Sequence, residues 1–165
     1  KITKDINKEN FMKKFILGLF LILGAVSFAA ARGLDINKVN KAGYNLSKQD
    51  EFSAIIDKTT DIDATSIAIF FEIVENDAAK QLLDDAKKSA PEVLKLVDTS
   101  ETKRAYIAKY KGTDGSYYSY AFVSKKLKFK DTFTTVIYTT DKDLNGSELD
   151  KLADSFFNQV ESFLR

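Results

Sequence analysis

The segment Asp141-Lys142-Asp143-Leu144-Asn145-Gly146 has the residue types and spacing of a cation-binding turn. Oxygens at alternate positions converge when a glycine in the sixth place bends the backbone sharply, as in the first half of an EF-hand-type calcium loop. Asp141, Asp143 and Asn145 are therefore candidate metal ligands, with calcium as the candidate cofactor. The twelfth position, where a glutamate normally closes the shell, is Leu152, which leaves Asp150 or Asp154 to substitute from the next helix. The competing reading is an Asn-Gly turn that delivers the chain to Ser147 as a helix N-cap, with Glu148 and Asp150 favoured by the helix dipole.

A second constellation is basic and tyrosine-rich. Residues 101–130 carry eight basic and two acidic side chains, interleaved with Tyr106, Tyr110, Tyr117, Tyr118 and Tyr120. Tyrosine rings stack on sugars, and ammonium groups attract phosphate, sulfate or carboxylate. Lys109, Lys111, Tyr118, Tyr120, Lys126, Lys128 and Lys130 are the expected binding face for an anionic glycan, a lipid headgroup or an envelope protein partner. The structural alternative is that alternating lysines protect a sheet edge and tyrosines fill half-buried sheet faces.

Catalysis has little to work with. The chain holds no histidine and no cysteine, which removes the commonest general base, the thiolate nucleophile and the soft-metal ligands. The carboxylate pairs Asp61 with Asp63, Glu72 with Glu75, and Asp84 with Asp85 are the candidates for a carboxylate-dependent hydrolase, and no glycine-rich loop or nucleophile elbow accompanies them. No catalytic residue is assigned. The formal net charge of +1 gives no bulk attraction to nucleic acid.

The elements that must position these groups follow from periodicity. Ser47 with Asp50 and the apolar Phe52, Ile55 and Ile56 predicts a short helix over about 48–58. Ile67, Ile69, Phe71 and Ile73 alternate in Ser66–Val74 and predict a central strand covered on both faces. Residues 77–97 keep an apolar stripe at helical spacing, interrupted by Pro91, and predict two helical pieces on one surface. Residues 103–111 and 116–124 read as a hairpin turned by Gly112-Thr113-Asp114-Gly115, with glycines supplying positive φ at both ends. Leu127 and Phe129 alternating with lysines, then the Thr-rich Phe133–Thr140, predict two further extended segments. An amphipathic helix from Ser147 closes the chain.

Upstream, Met12–Ala31 reads as a signal peptide: Lys13 and Lys14, an apolar run from Phe15 to Val26, and small residues at Ser27 and Ala29–Ala31. Cleavage is expected after Ala29 or Ala31, and membrane contact only through this leader where it stays uncleaved. Its uncharged stretch, Phe15–Ala31, has 17 residues, short of the ~20 of a spanning helix. Residues 1–11, before the sole methionine, are taken as an upstream or truncated extension. The remainder divides into an N-terminal arm at 32–46 and one domain at 47–165, large enough to bury a core without disulfides.

From residue 65 onward the order strand, helix, hairpin, further strands, then a Thr-rich strand and a helix ending Val160-Glu161-Ser162-Phe163 resembles the PsbP-like α/β superfamily. That resemblance implies an antiparallel sheet flanked by helices and a non-enzymatic accessory or partner-binding role. The expected fold is α+β, with an antiparallel sheet of four to five strands packed by amphipathic helices. The expected function is that of an exported, periplasmic or secreted, non-catalytic binding or accessory domain of the bacterial cell envelope. The alternatives are a calcium-stabilised extracytoplasmic module and, behind it, a carboxylate-dependent hydrolase.

Overall fold

A computed structural model describes residues 33–165; the expected leader at 12–31 and the extension at 1–11 lie outside the described residues. The class is α+β, and the sheet is larger than expected: seven antiparallel strands in the order β1-β2-β3-β7-β6-β5-β4. In chain order these are α1 (Ile36–Lys41), β1 (Asn45–Gln49), β2 (Ser53–Thr59), β3 (Asp63–Phe70), α2 (Ala78–Lys88), β4 (Leu94–Glu101), β5 (Ala105–Gly112), β6 (Tyr118–Ser124), β7 (Phe133–Thr140) and α3 (Ser147–Phe163).

Two expected helices are strands. The 48–58 segment forms the β1–β2 hairpin, because Asp50 turns the chain instead of starting a helix: its carboxylate accepts from the Phe52 and Ser53 N–H groups, each at 2.8 Å. Ile55 and Ile56 are then adjacent yet both buried, which a strand between two covered faces permits. The second half of the 77–97 stripe also straightens. α2 stops at Lys88 ahead of Pro91, and residues 94–101 become edge strand β4. Val93 and Val97, placed on the core stripe by helical phase, are 37% and 47% exposed.

The central strand is displaced toward the N-terminus, Asp63–Phe70, so that Phe71 and Ile73 fall beyond it, and Leu127 and Phe129 lie in the irregular β6–β7 connection and form no strand. Residues 33–44, expected as an arm, pack into the main core through Leu34, Val39 and Tyr44. The Asp35 N–H donates to Phe163 O at 2.7 Å and the Arg165 N–H to Gly33 O at 2.8 Å, so both ends of the described chain are tied together.

Side-chain alternation divides the core in two. Ile56, Ile67, Val136, Phe122 and Ile107 face α1 and α3 with Phe156, Phe157 and Val160, while Ala64, Ala108, Ala121 and Ile137 face α2 with Ala86. Each large side chain buried under α3 contributes about 1.5–3 kcal/mol before ordering costs. The β5–β6 hairpin forms as expected, with one correction. Gly115 has the positive φ of 75°, whereas Gly112 has none and is required because a Cβ there would stand 2.3 Å from the Tyr117 ring. No helix among the described residues is long and apolar enough to cross a membrane.

Candidate binding sites on a cross-sheet polar row

Register carries one polar row across six strands: Lys58 on β2 pairs with Thr65, Thr65 with Tyr138, Tyr138 with Tyr120, Tyr120 with Lys109, and Lys109 with Asp98 on β4. The α3 face of the row two residues along each strand is apolar, running Ile56, Ile67, Val136, Phe122 and Ile107.

At one end the row is filled by the protein itself. Lys109 is buried, and its ammonium donates to the Asp143 carboxylate, to Asn145 Oδ1 at 2.8 Å and to Leu144 O at 3.3 Å. Beneath it, Tyr120 Oη donates to Lys142 O at 2.9 Å and accepts the Leu144 N–H at 2.7 Å. Lys109 also lies 5.3 Å from the Tyr118 ring centroid, and Lys111 lies 5.6 Å from it on the same side. The two constellations that the sequence kept apart are thus one: the Asp143 and Asn145 oxygens hold the cation of the tyrosine-rich strip.

The electrostatics follow. The Lys109 ammonium bonded to Asp143 holds that carboxyl below the ordinary carboxylate range. Burial, opposed by the Leu144 N–H and reinforced by the Asp143 charge, pushes the Tyr120 phenol up to about 12. Among the described residues no group of three or more carboxylates is assembled that could hold a metal. Ser147 is the first helical residue of α3 and not its cap; Gly146, at φ 48°, occupies the cap without a side-chain bond. Glu148 and Asp150 do occupy the first turn.

The expected binding face divides. Lys109, Lys111, Tyr118 and Tyr120 meet near the β5–β6 turn, whereas Lys126, Lys128 and Lys130 lie beyond the opposite end of β6, about 20 Å away at ~3.4 Å per residue. There, Lys125, Lys126, Lys128 and Lys130 line a cleft of about 490 Å³ against Ile73–Asn76 and Asp131. The two loops are joined by the Ile73 N–H donating to Asp131 O at 3.0 Å. Glu72 and Asp131 both have positive φ, 58° and 62°, a conformation that costs a non-glycine residue strain. Other members of the strip are spent on the fold. Arg104 binds the buried Glu161 and lies 5.6 Å from the Phe157 ring, and Lys125 bonds Glu101 at 2.7 Å.

Among the described residues, the other end of the row is open. A cleft of about 560 Å³ lies between α3 and the β2–β3 turn, lined by Tyr44, Lys58, Asp63, Tyr138, Phe156 and Gln159 among others. Tyr44 Oη donates to Gln159 Oε1 at 2.9 Å, and Tyr138 Oη donates to Asp63 Oδ2 at 2.9 Å. Thr60 Oγ1 donates to the other Asp63 oxygen at 2.7 Å. Lys58 donates to Ala42 O at 3.0 Å, and its ammonium lies 5.5 Å from the Tyr44 ring centroid. Burial pushes both phenols up to about 12, with Asp63 adding its charge at Tyr44 and its charge and hydrogen bond at Tyr138.

Sequence reasoning singled out Asp61 and Asp63 as a carboxylate pair and missed Tyr44, Lys58, Tyr138 and Gln159, which span more than 100 positions. The local signal was Tyr138, a polar aromatic residue within the Thr-rich and β-branched run that follows Phe133. No family model, curated protein or solved structure matches the chain.

Proposed function

We propose that this protein is an exported, non-catalytic binding domain of the bacterial cell envelope, and that its ligand seat is the cleft between α3 and the β2–β3 turn. One observation carries the reading: half of the polar row is filled by the Asp141–Gly146 loop, whereas the other half opens on about 560 Å³ lined by tyrosine, lysine, aspartate and glutamine side chains. That volume lies within the ~300–1,000 Å³ of small-ligand sites. The leader at 12–31 supports export, and the lack of histidine and cysteine supports binding without catalysis. An accessory role of this kind is also what the PsbP-like resemblance implies.

Phe156 and Leu152 form the helical wall of the cleft, so Leu152→Trp fills it from a half-buried position. A ligand that binds only the folded state raises the melting midpoint. A thermal-shift screen of envelope small molecules on the full chain is expected to yield hits that Leu152→Trp abolishes. Hits indifferent to that substitution move the ligand seat elsewhere.

A second reading has its own observation. The cleft lined by Lys125, Lys126, Lys128 and Lys130 fits an anionic glycan or lipid headgroup, and the strained Asp131 sits on its wall, with the strained Glu72 next in sequence to Ile73 on the other wall. Binding to a sulfated glycan that falls with salt and is lost in Lys126→Glu with Lys128→Glu is the expected result; binding unmoved by that pair rejects the reading.

A calcium-stabilised module has less support than either cleft. Lys109 already supplies a cation to Asp143 and Asn145.

A further inference from the structure

The chemistry of the cleft specifies its ligand more narrowly. Three formal charges line it: Lys58 on one strand, and Asp61 and Asp63 in and beside the β2–β3 turn. An anionic ligand meets the two carboxylates, and a cationic one meets the Lys58 ammonium. A sugar hydroxyl suits both, because it donates to a carboxylate while accepting from an ammonium or a phenol. Thr60, Thr65 and Gln159 add groups that can do the same from the walls.

The partnering of these groups points the same way. Lys58 has three donors and spends one on Ala42 O, whereas its counterpart Lys109 spends all three on loop oxygens. Asp63 accepts from Tyr138 and Thr60, both neutral hydroxyls, and a carboxylate has about four lone-pair sites. Donors and acceptors with spare capacity are thus interleaved across one floor. The apolar component is aromatic: Tyr138 and Phe156 pack with centroids 5.6 Å apart at 57°, and Leu152 and Ile62 flank them. Rings beside alternating donors and acceptors match the C–H face and hydroxyl rim of a pyranose.

We infer that the cleft between α3 and the β2–β3 turn binds an uncharged carbohydrate, with Lys58 and Asp63 bridged by its hydroxyls and the Tyr138–Phe156 pair carrying its apolar face. This rests on the cleft being the ligand seat, and it commits that seat to neutral sugars.

The test is calorimetric or NMR titration of the full chain with glucose and maltose as neutral probes. Glucuronate, glucosamine and glycine serve as anionic, cationic and zwitterionic comparisons. Saturable binding of a neutral sugar, at least tenfold tighter than its charged analogues, is expected, as is at least tenfold weakening in Asp63→Asn and in Lys58→Met. Asp61→Asn, in the exposed turn, tests the same charge where folding is least at risk, and Asp84→Asn on α2 serves as the distant control. Tighter binding of glucuronate, glucosamine or glycine to the same cleft overturns the neutral-sugar inference while leaving the ligand seat intact. No binding of any of these probes overturns the inference, and if Leu152→Trp also leaves every thermal-shift hit unchanged, the seat itself falls. Neutral-sugar binding unchanged in Asp63→Asn, Asp61→Asn and Lys58→Met overturns it as well.

Discussion

Lys109 and Lys58 stand near opposite ends of one row of paired residues, and each ammonium lies beside a tyrosine ring, at 5.3 Å and 5.5 Å. They differ in what the chain places above them. After β7 the backbone passes over the Lys109 end, where Asp143, Leu144 and Asn145 close on the ammonium before α3 begins. Among the described residues nothing equivalent descends on Lys58, and the space between it and Gln159 stays open. The same residue types are structural at one end and available at the other, and the difference is set by the path of a six-residue loop.

Removing the tyrosine at each end is the severest way to break this comparison. Tyr120 is fully buried and bonded twice to the loop, so Tyr120→Ala is expected to cost about 3–5 kcal/mol. Tyr138→Ala, at the edge of an open cleft, is expected to cost less than half as much; equal shifts in the urea midpoint would show that the cleft end is packed as tightly as the loop end.

The lysines sharpen it at a smaller scale. Lys109→Met is expected to lose about 1–3 kcal/mol through its bonds to Leu144 O and Asn145, and Lys58→Met under about 1 kcal/mol, for the single bond to Ala42 O. Melting curves of the unmodified protein with calcium and with chelator are expected to coincide, because Lys109 occupies the loop oxygens. A higher midpoint in calcium would reinstate Asp141, Asp143 and Asn145 as ligands.

Alkaline titration separates the ends without changing the core. Phenols raised from 10 to about 12 by burial stay protonated in the fold after those of the unfolded chain ionise. Their contribution is therefore fully present below pH 10 and is lost as the pH rises toward 12. Asp63→Asn is expected to let Tyr44 and Tyr138 ionise at lower pH, because Asp63 helps hold both phenols up, and to leave Tyr117 and Tyr120 in place; phenolate absorbance reads this directly. The smallest effect is reserved for the exposed loop: Lys126→Glu with Lys130→Glu is expected to shift stability by no more than about 0.5 kcal/mol, whatever it does to glycan binding.

Local chemistry made much of the fold readable. The β5–β6 hairpin, β7 and α3 stand where alternation, turn residues and a helical stripe place them. The errors arose where two periodicities agreed over a short window. Ile55 and Ile56 fit a helix as well as a doubly covered strand, and Leu94 and Val97 kept helical phase beyond Pro91 while belonging to an edge strand. Of the site residues, the sequence offered Asp63 within a local pair, and Lys109, Asp143 and Asn145 in two separate groups whose meeting depends on pairing 30 or more positions apart.

Composition and order alone determined an α+β chain without imidazole or thiol chemistry, a hairpin at 105–124, a closing amphipathic helix, and a cation-seeking turn at 141–146. Only the tertiary structure decided which cation that turn holds and which end of the row is left open. The reason is geometric: strand register sets which distant side chains become neighbours, and one bound ammonium consumes oxygens that composition can count but cannot assign.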